Sequence, residues 1–303
     1  MNSSRRTVAV TGANGFIGSE LVARLEGNGH TVVVFGDERD LDIQDTVVVR
    51  RALENARPSV IYHLAAVSGP MLLPDHPEIV TAVNTVGTIN VLEAVRSIGC
   101  RVVLASSVAG FSTGPMDDPC PSSVYGVTKR FVELAGRVYR AQFGVDATSA
   151  RIGSVFGIER KTDHVLHRMI EEALHEGAIS YEADRWEPLV HVSDCARLLA
   201  ELAEVDDWRD VYDVVTTPRT HEQLARSVRD ALPGRRIRLR ELPRTTPTWG
   251  RAFDAEGLSA DTASTSLEDV DAAVARLVES RAGVVSGAAH VSDVSRASDA
   301  QGR

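Results

Sequence analysis

Through the first 150 residues, short β-branched runs alternate with longer stretches whose apolar residues recur at helical spacing. Thr7–Val10, Thr31–Phe35, Ser59–His63, Arg101–Ala105 and Ala147–Arg151 read as strands that are apolar on both faces, as in a parallel sheet covered by helices. Helical patterns lie between them near 16–27, 45–56, 77–98 and 122–143. Parallel strands need crossover helices, so the alternation predicts an α/β fold built on a doubly wound parallel sheet.

Beyond about Gly157 the pattern loosens. A helix is expected near 163–176, then strands at Ile179–Tyr181 and Pro188–Val192, and a helix opened by Ser193 or Asp194. Val211–Val215 reads as a strand, Thr220–Leu232 as a helix and Arg235–Leu242 as a strand with a solvated basic face. Ser266 is placed to cap a last helix to about Ser280. These elements divide the chain into a first domain over 1–156, to which 188–216 returns, and a smaller, discontinuous one over 157–285. Residues 286–303 are small and polar without periodicity, and are expected to form a disordered tail.

Composition narrows the function. A net charge of −9 argues against nucleic acid or an anionic membrane as the main partner. No apolar run approaches the roughly 20 residues of a membrane span. The segment Met1–Thr7 lacks the apolar stretch of a signal peptide, so a cytoplasmic protein is expected. Cys100, Cys120 and Cys195 fit no metal-ligand spacing and read as reduced thiols. His164, His167 and His175 share one helical stretch at mixed spacing and lack a matching ligand set, so no metal site is expected.

Two motifs carry chemistry. The first strand runs into Thr11-Gly12-Ala-Asn14-Gly15-Phe16-Ile17-Gly18, which opens a helix. A diphosphate needs backbone N–H donors at close range and the positive end of a helix, and glycines at this spacing permit both, as in dinucleotide-binding folds. The strand Arg101–Ala105 ends in Ser106-Ser107, and a helix 18 residues beyond Ser107 carries Tyr125 and Lys129 on one face. A phenol of pKa about 10 is a poor base at neutral pH, and a nearby ammonium favours its phenolate. Tyr125 can then exchange a proton with a substrate hydroxyl, with Ser107 bonded to the same oxygen.

Here the chain resembles the extended branch of the short-chain dehydrogenase/reductase superfamily, the NAD-dependent epimerase/dehydratase type, from Val8 to about Leu202. The resemblance implies a Rossmann domain with a smaller substrate domain closing a cleft at the strand ends. It implies Ser107, Tyr125 and Lys129 as catalytic residues, with Ser107 preferred to Ser106 because Phe111 follows it by four. Gly12, Asn14, Gly15, Phe16, Ile17 and Gly18 would hold the dinucleotide, with Asp42-Ile43 near adenine and Leu64-Ala65-Ala66 and Asn84 beside the cofactor. At the end of the second strand, Asp37 and Glu38 would repel a 2′-phosphate and Arg39 attract one, so NAD is favoured over NADP. The segment Asp40–Ile43 follows that strand at once, a shortening similar to that of deoxysugar reductases, many of which use NADPH.

Arg151-Ile-Gly-Ser154-Val-Phe-Gly157 and Leu189-Val-His-Val-Ser-Asp194 resemble the branch's Arg-x-x-Asn-x-Tyr-Gly-Pro and Phe-Val-His-Val-Asp-Asp. Ser154 replaces the sugar-nucleotide asparagine, Ile158 the proline, and Glu187-Pro188 stand where a pyrophosphate-binding arginine is usual. Arg185 is the first basic candidate for a diphosphate, with Arg160, Lys161 and Arg168 behind it. The Thr-Asp-Glu of dehydratases is absent, Ser107-Val-Ala standing in its place. A nucleotide-sugar epimerase or ketoreductase is expected first. A dehydrogenase for a small non-nucleotide alcohol or ketone is the alternative, and a silent dinucleotide sensor the third. Family helices like 77–98 and 122–143 pair across a homodimer, through residues such as Val80, Val83, Phe131 and Val138.

Overall fold

The structure, a computed structural model, describes residues 5–37, 39, 41–69, 72–112, 120–243, 253, 255–262 and 267–283. Glu38 and Asp40, the cap at Ser266 and the expected tail from 286 lie outside these residues. In chain order the elements are β1 Thr7–Thr11, α1 Phe16–Gly27, β2 Thr31–Phe35, α2 Thr46–Ala56, β3 Val60–His63, α3 Pro77–Thr81, a π-turn Ala82–Val86 and α4 Gly87–Ile98. They continue with β4 Arg101–Ser107, a 3₁₀ turn Val108–Phe111, α5 Val124–Phe143, β5 Ala147–Ile152, β6 Ser154–Phe156, α6 Val165–Glu176, β7 Ala178–Glu182 and β8 Trp186–His191. Last come α7 Val192–Leu202, β9 Val211–Val214, β10 Thr217–Thr220, α8 His221–Asp230, β11 Arg238–Leu242, α9 Glu256–Thr262 and α10 over 270–283.

Six strands form a parallel sheet in the order β2-β1-β3-β4-β5-β9, the expected doubly wound architecture. One face carries Val8, Val10, Tyr62, Val103 and Ala150 under α1 and α7; the other carries Ala9, Ile61, Val102 and Leu104 under α2, α4 and α5. Alternate residues of each strand thus enter different cores, which is why the strands read as continuous apolar runs.

Helix ends follow capping chemistry. Asp45 accepts from the amides of Val47 and Val48 to start α2, and Ser123 accepts from Gly126 to start α5. Thr220 and Gln223 form a reciprocal capping box on α8. α4 and α5 end on Gly99 and Gly144 in the left-handed region, with φ of 72° and 67°. His191, rather than Ser193 or Asp194, caps α7.

The expected single helix over 77–98 is broken by the π-turn. Asn84 sits within it, its amide bonded on both sides to the backbone of Val67. The hydroxyls of Thr81, Thr85 and Thr88 each donate to the carbonyl four residues back, satisfying acceptors that the widened turn loosens.

The chain divides into two compact units. The first takes residues 1–155, 186–218 and 246–267; the second takes 156–185, 219–245 and 268–303. In the first, α9 packs on α7 and β9, with Asp261 bonded to Arg209 and Tyr212. In the second, β7 and β11 pair in parallel and α6 packs against β7 and α8.

Candidate functional site

The glycine loop joins β1 to α1. Gly12 adopts φ of +70°, and a Cβ there would stand 2.7 Å from the Ala65 amide nitrogen. A Cβ on Gly18 would stand 2.2 Å from the Gly12 carbonyl oxygen. The loop therefore closes on itself and lies against Leu64-Ala65 at the end of β3. Phe16 and Ile17 turn their side chains into the core, while their amides and that of Gly18 begin α1 with no carbonyl ahead of them in the helix. Such a turn, with no room for a Cβ at Gly12 or Gly18, fits a dinucleotide diphosphate on its N–H groups.

At the end of β2, Gly36 admits the side chain of Asn14, which a Cβ would meet at 2.2 Å. The structure thus brings Asn14 beside the Asp37 segment. Arg39 grips Asp37 in a fork, its Nε 3.1 Å from Oδ1 and its Nη2 bonded to Oδ2. Asp42 is exposed and accepts from the Gln44 amide, while Ile43 is buried with its Cδ1 against Gly87. Ala66 is half-buried.

Ser107 ends β4, and its Oγ accepts from the Ala109 amide at 3.2 Å, which leaves its own hydrogen to donate. Tyr125 is the second residue of α5. Gly126 lets that first turn sit directly on the segment after Ser107, since a Cβ would be 2.4 Å from the Ala109 carbonyl oxygen. Lys129 is buried, with Nζ 5.6 Å from the Tyr125 ring centroid and donating to the Ala105 carbonyl at 2.9 Å. Burial pulls its pKa down to about 8.

Ser106 is committed elsewhere, donating to Glu133 Oε1 at 2.7 Å. Glu133 in turn holds Arg151 in a two-pronged pair of 2.9 and 2.8 Å, and Arg151 reaches Asp213 at 2.7 Å. Ser106, Arg151 and Asp213 are neighbours in the strand register, so the pairing of β4, β5 and β9 builds this buried network. Sequence reading picked Arg151 only as part of a motif and missed Glu133, whose signal is its place one turn beyond Lys129 on the same face.

Asn84 is buried; its Nδ2 donates to Thr128 Oγ1 at 3.0 Å, and that hydroxyl donates to the Tyr125 carbonyl. Ser154 opens β6, half-buried. In the second unit Arg185 pairs with Glu182 at 2.9 Å. His164 caps α6, and Arg281 donates to Nδ1 of His167. Among the described residues no group of His, Cys, Asp and Glu is disposed to hold a metal ion, and no helix is long and apolar enough to cross a membrane.

Comparison with known proteins places this geometry. A probable UDP-glucuronate 4-epimerase from Rhizobium meliloti (strain 1021) is 28% identical over 201 residues, covering 55% of this chain and 58% of that protein. L-threonine dehydrogenase from Phytophthora infestans superimposes with a TM-score of 0.76 at 25% identity, covering 92% of this chain and 99% of the other. The UDP-glucose 4-epimerase of Thermus thermophilus, solved in complex with NAD, shares the fold with a TM-score of 0.73 at 24% identity, over 90% and 98% of the two chains. The family model described as NAD dependent epimerase/dehydratase matches residues 8–214, a span holding the glycine loop, Ser107, Tyr125 and Lys129. With more than half of its length matched, the chain belongs to the NAD-dependent epimerase/dehydratase family.

Proposed function

We propose that this protein is an NAD(P)-dependent oxidoreductase that epimerises or reduces a nucleotide-linked sugar by Tyr-assisted hydride transfer. The observation that carries the reading is Lys129, buried beneath the Tyr125 ring at the start of a helix seated on the Ser107 turn. The Lys129 ammonium favours the Tyr125 phenolate, and Ser107 donates to the substrate oxygen as charge develops there. Tyr125 moves the proton of that oxygen. Bound nicotinamide supplies or takes up the hydride. The glycine loop holds the diphosphate, Asn14 and Asp37 the adenosine ribose, and NAD is preferred because the Asp37 carboxylate can accept from the ribose hydroxyl while the Arg39 cation is engaged by Asp37. Arg185 and Ser154 are the candidate substrate contacts.

Tyr125→Phe tests the reading. Dinucleotide affinity should stay near wild type while turnover of UDP-sugars, followed by NAD(P)H absorbance and product analysis, falls by at least about a hundredfold. Retention of more than about a tenth of the activity removes Tyr125 as the acid–base. Protein carrying tightly bound NAD after purification points to an epimerase that recycles its hydride; freely exchanging dinucleotide points to a net reductase.

A dehydrogenase of a small non-nucleotide alcohol is favoured by the threonine dehydrogenase neighbour and by Ser154 and Glu187 at family sugar-nucleotide positions. Heat stabilisation by UDP or dTDP in the presence of NAD(P), lost in Arg185→Ala, supports the sugar-nucleotide reading. No shift at millimolar nucleotide transfers the assignment to the small substrate.

A homodimer through α5 belongs to the same reading. Val127, Leu134 and Val138 are 55%, 53% and 44% exposed along one face of α5, with Ile79 and Val86 exposed on the preceding helical segment. Val80 is instead buried, and Val83 and Phe131 pack against the core beneath α4 and α5. A 32.7 kDa monomer by light scattering at micromolar concentration would refute the dimer.

A further inference from the structure

A line of buried polar groups crosses the first unit below the candidate site. Thr11, the last residue of β1, stands opposite His63, the last of β3. Thr11 Oγ1 lies 2.9 Å from His63 Nδ1, and His63 Nε2 lies 3.3 Å from Thr88 Oγ1 on α4. Thr88 Oγ1 is 2.7 Å from the carbonyl oxygen of Asn84, in the π-turn. All four residues are buried, His63 at 4% exposure.

Donor and acceptor capacities fix the direction of the line. The Thr88 hydroxyl has one hydrogen, and the Asn84 carbonyl can only accept, so the hydrogen goes there. Thr88 Oγ1 must then accept from His63 Nε2, which carries the ring proton. Nδ1 is thereby an acceptor and takes the Thr11 hydroxyl hydrogen, while Thr11 Oγ1 accepts from the Ala65 amide at 3.2 Å. Thr11, His63 and Thr88 each donate once and accept once, all in one sense, an arrangement in which each bond polarises the next. The same Asn84 continues through its side chain to Thr128 and the Tyr125 carbonyl.

We propose that His63 is a positioning residue whose two ring nitrogens tie the dinucleotide loop, through Thr11, to the first turn of the catalytic helix, through Thr88 and Asn84. Thr11 and Thr88 belong to different layers and both bond the imidazole, which adds a side-chain link to the one along the backbone from Ala65, bonded to Thr11, to Val67, bonded to Asn84. The two nitrogens have separate duties. Nδ1 holds the strand end that leads into Gly12, and Nε2 holds the π-turn on which the Asn84–Thr128–Tyr125 contacts rest. The inference rests on the reading of Ser107, Tyr125 and Lys129 as the reacting groups, which gives the two ends their meaning.

The ring atoms can be replaced one at a time. In His63→Asn the carboxamide reaches the place of Nδ1 and restores the contact to Thr11. In His63→Gln it reaches the place of Nε2 and restores the contact to Thr88. His63→Phe keeps a ring and restores neither. Amide hydrogen exchange is read on residues 12–18 and 125–129, together with NADH affinity by fluorescence. In the Phe variant both segments should exchange about tenfold faster than wild type, the order expected for one lost buried hydrogen bond at each end. The Asn variant should return residues 12–18 and NADH affinity to within about threefold of wild type and leave 125–129 fast; the Gln variant should do the reverse. General loosening would speed both segments together in every variant, so Asn and Gln variants that behave alike overturn the proposal. So does a Phe variant that matches wild type at both segments. If the Phe variant does not fold, the contrast between Asn and Gln against wild type still decides. Wild type that binds no dinucleotide sinks the oxidoreductase reading, while the exchange contrast still tests the link itself.

Discussion

Replacing Lys129 by methionine should stabilise the protein at neutral pH while removing the cation beneath Tyr125. Burial lowers the Lys129 pKa from 10.5 to about 8. Below about pH 7 native and unfolded chains both hold this proton, and the native state bears the full burden of a buried charge. Between about pH 8 and 10.5 the unfolded chain keeps a proton that the native chain has released, so this group makes stability rise with pH. At ~1.36 kcal/mol per pKa unit the whole effect is on the order of 3 kcal/mol, of which about 2 kcal/mol is recovered between about pH 7 and 9.5. Methionine keeps the apolar stem and forfeits the bond to the Ala105 carbonyl, about 1 kcal/mol, leaving a net gain of about 2 kcal/mol at about pH 7. Burial also raises the pKa values of Tyr62, Tyr139, Cys100 and Cys195, which makes each destabilising in alkali. Both proteins carry those four groups, so the difference between them isolates Lys129. Urea unfolding from about pH 7 to 9.5 should show the variant ahead at neutral pH and the gap closing as pH rises. A gap that stays constant, or a variant less stable by more than about 1 kcal/mol at neutral pH, refutes the reasoning.

Three further outcomes are expected. Burial, reinforced by the Lys129 charge, lowers the His63 pKa from 6.5 to about 3, so its neutral form supports stability fully above about pH 6.5 and that support is lost as pH falls toward 3; His63→Phe should flatten acid unfolding over this window, and an unchanged slope refutes the assignment. Asp37→Ala should weaken NAD more than NADP, and Arg39→Ala should weaken NADP more than NAD; titration of both dinucleotides showing equal losses rejects the pair as the discriminating element. Gly18→Ala places a Cβ 2.2 Å from the Gly12 carbonyl oxygen, so thermal unfolding should show a loss of about 2 kcal/mol together with weaker dinucleotide binding; a neutral substitution would mean the loop yields.

The strands of the main sheet were legible because burial on both faces leaves continuous β-branched runs, and their boundaries shift by no more than about two residues at either end. Helical spacing of the apolar residues made α1, α2 and α5 equally plain, and the caps of α2 and α5, Asp45 and Ser123, emerge from the structure. The π-turn was not legible: Ala82–Val86 keeps ordinary helical periodicity, and the widening comes from Asn84 engaging Val67, far back along the chain. β6 and β10 are three and four residues long and are held by strand neighbours distant in sequence, which leaves too little local pattern to read. In the site, glycine spacing and the Tyr125–Lys129 interval sufficed to nominate residues. What they could not supply was the pairing of Ser106 with Glu133, of Asp37 with Arg39 and of Arg185 with Glu182, each set by side-chain geometry.

The distribution of buried polarity in the first unit follows from the same division of labour. β1, β3 and β4 are apolar through Val8–Val10, Val60–Tyr62 and Val102–Ala105, and each carries its buried polar residues at its carboxyl end, at Thr11, at His63 and at Ser106-Ser107. A buried hydroxyl or imidazole is costly unless every donor and acceptor is met, so such residues gather only where partners are guaranteed. The carboxyl edge of a parallel sheet offers those partners, because helix starts and loop amides converge there: Ala65 meets Thr11, Ala109 meets Ser107, and α5 brings Glu133 to Ser106. One charge at this edge, the Lys129 ammonium, donates to a neutral carbonyl and lies beneath a phenol it can tune. A core selected for stability alone would place methionine there. The ammonium is therefore the feature of this edge that stability does not explain, and the proton transfer proposed for Tyr125 would explain it.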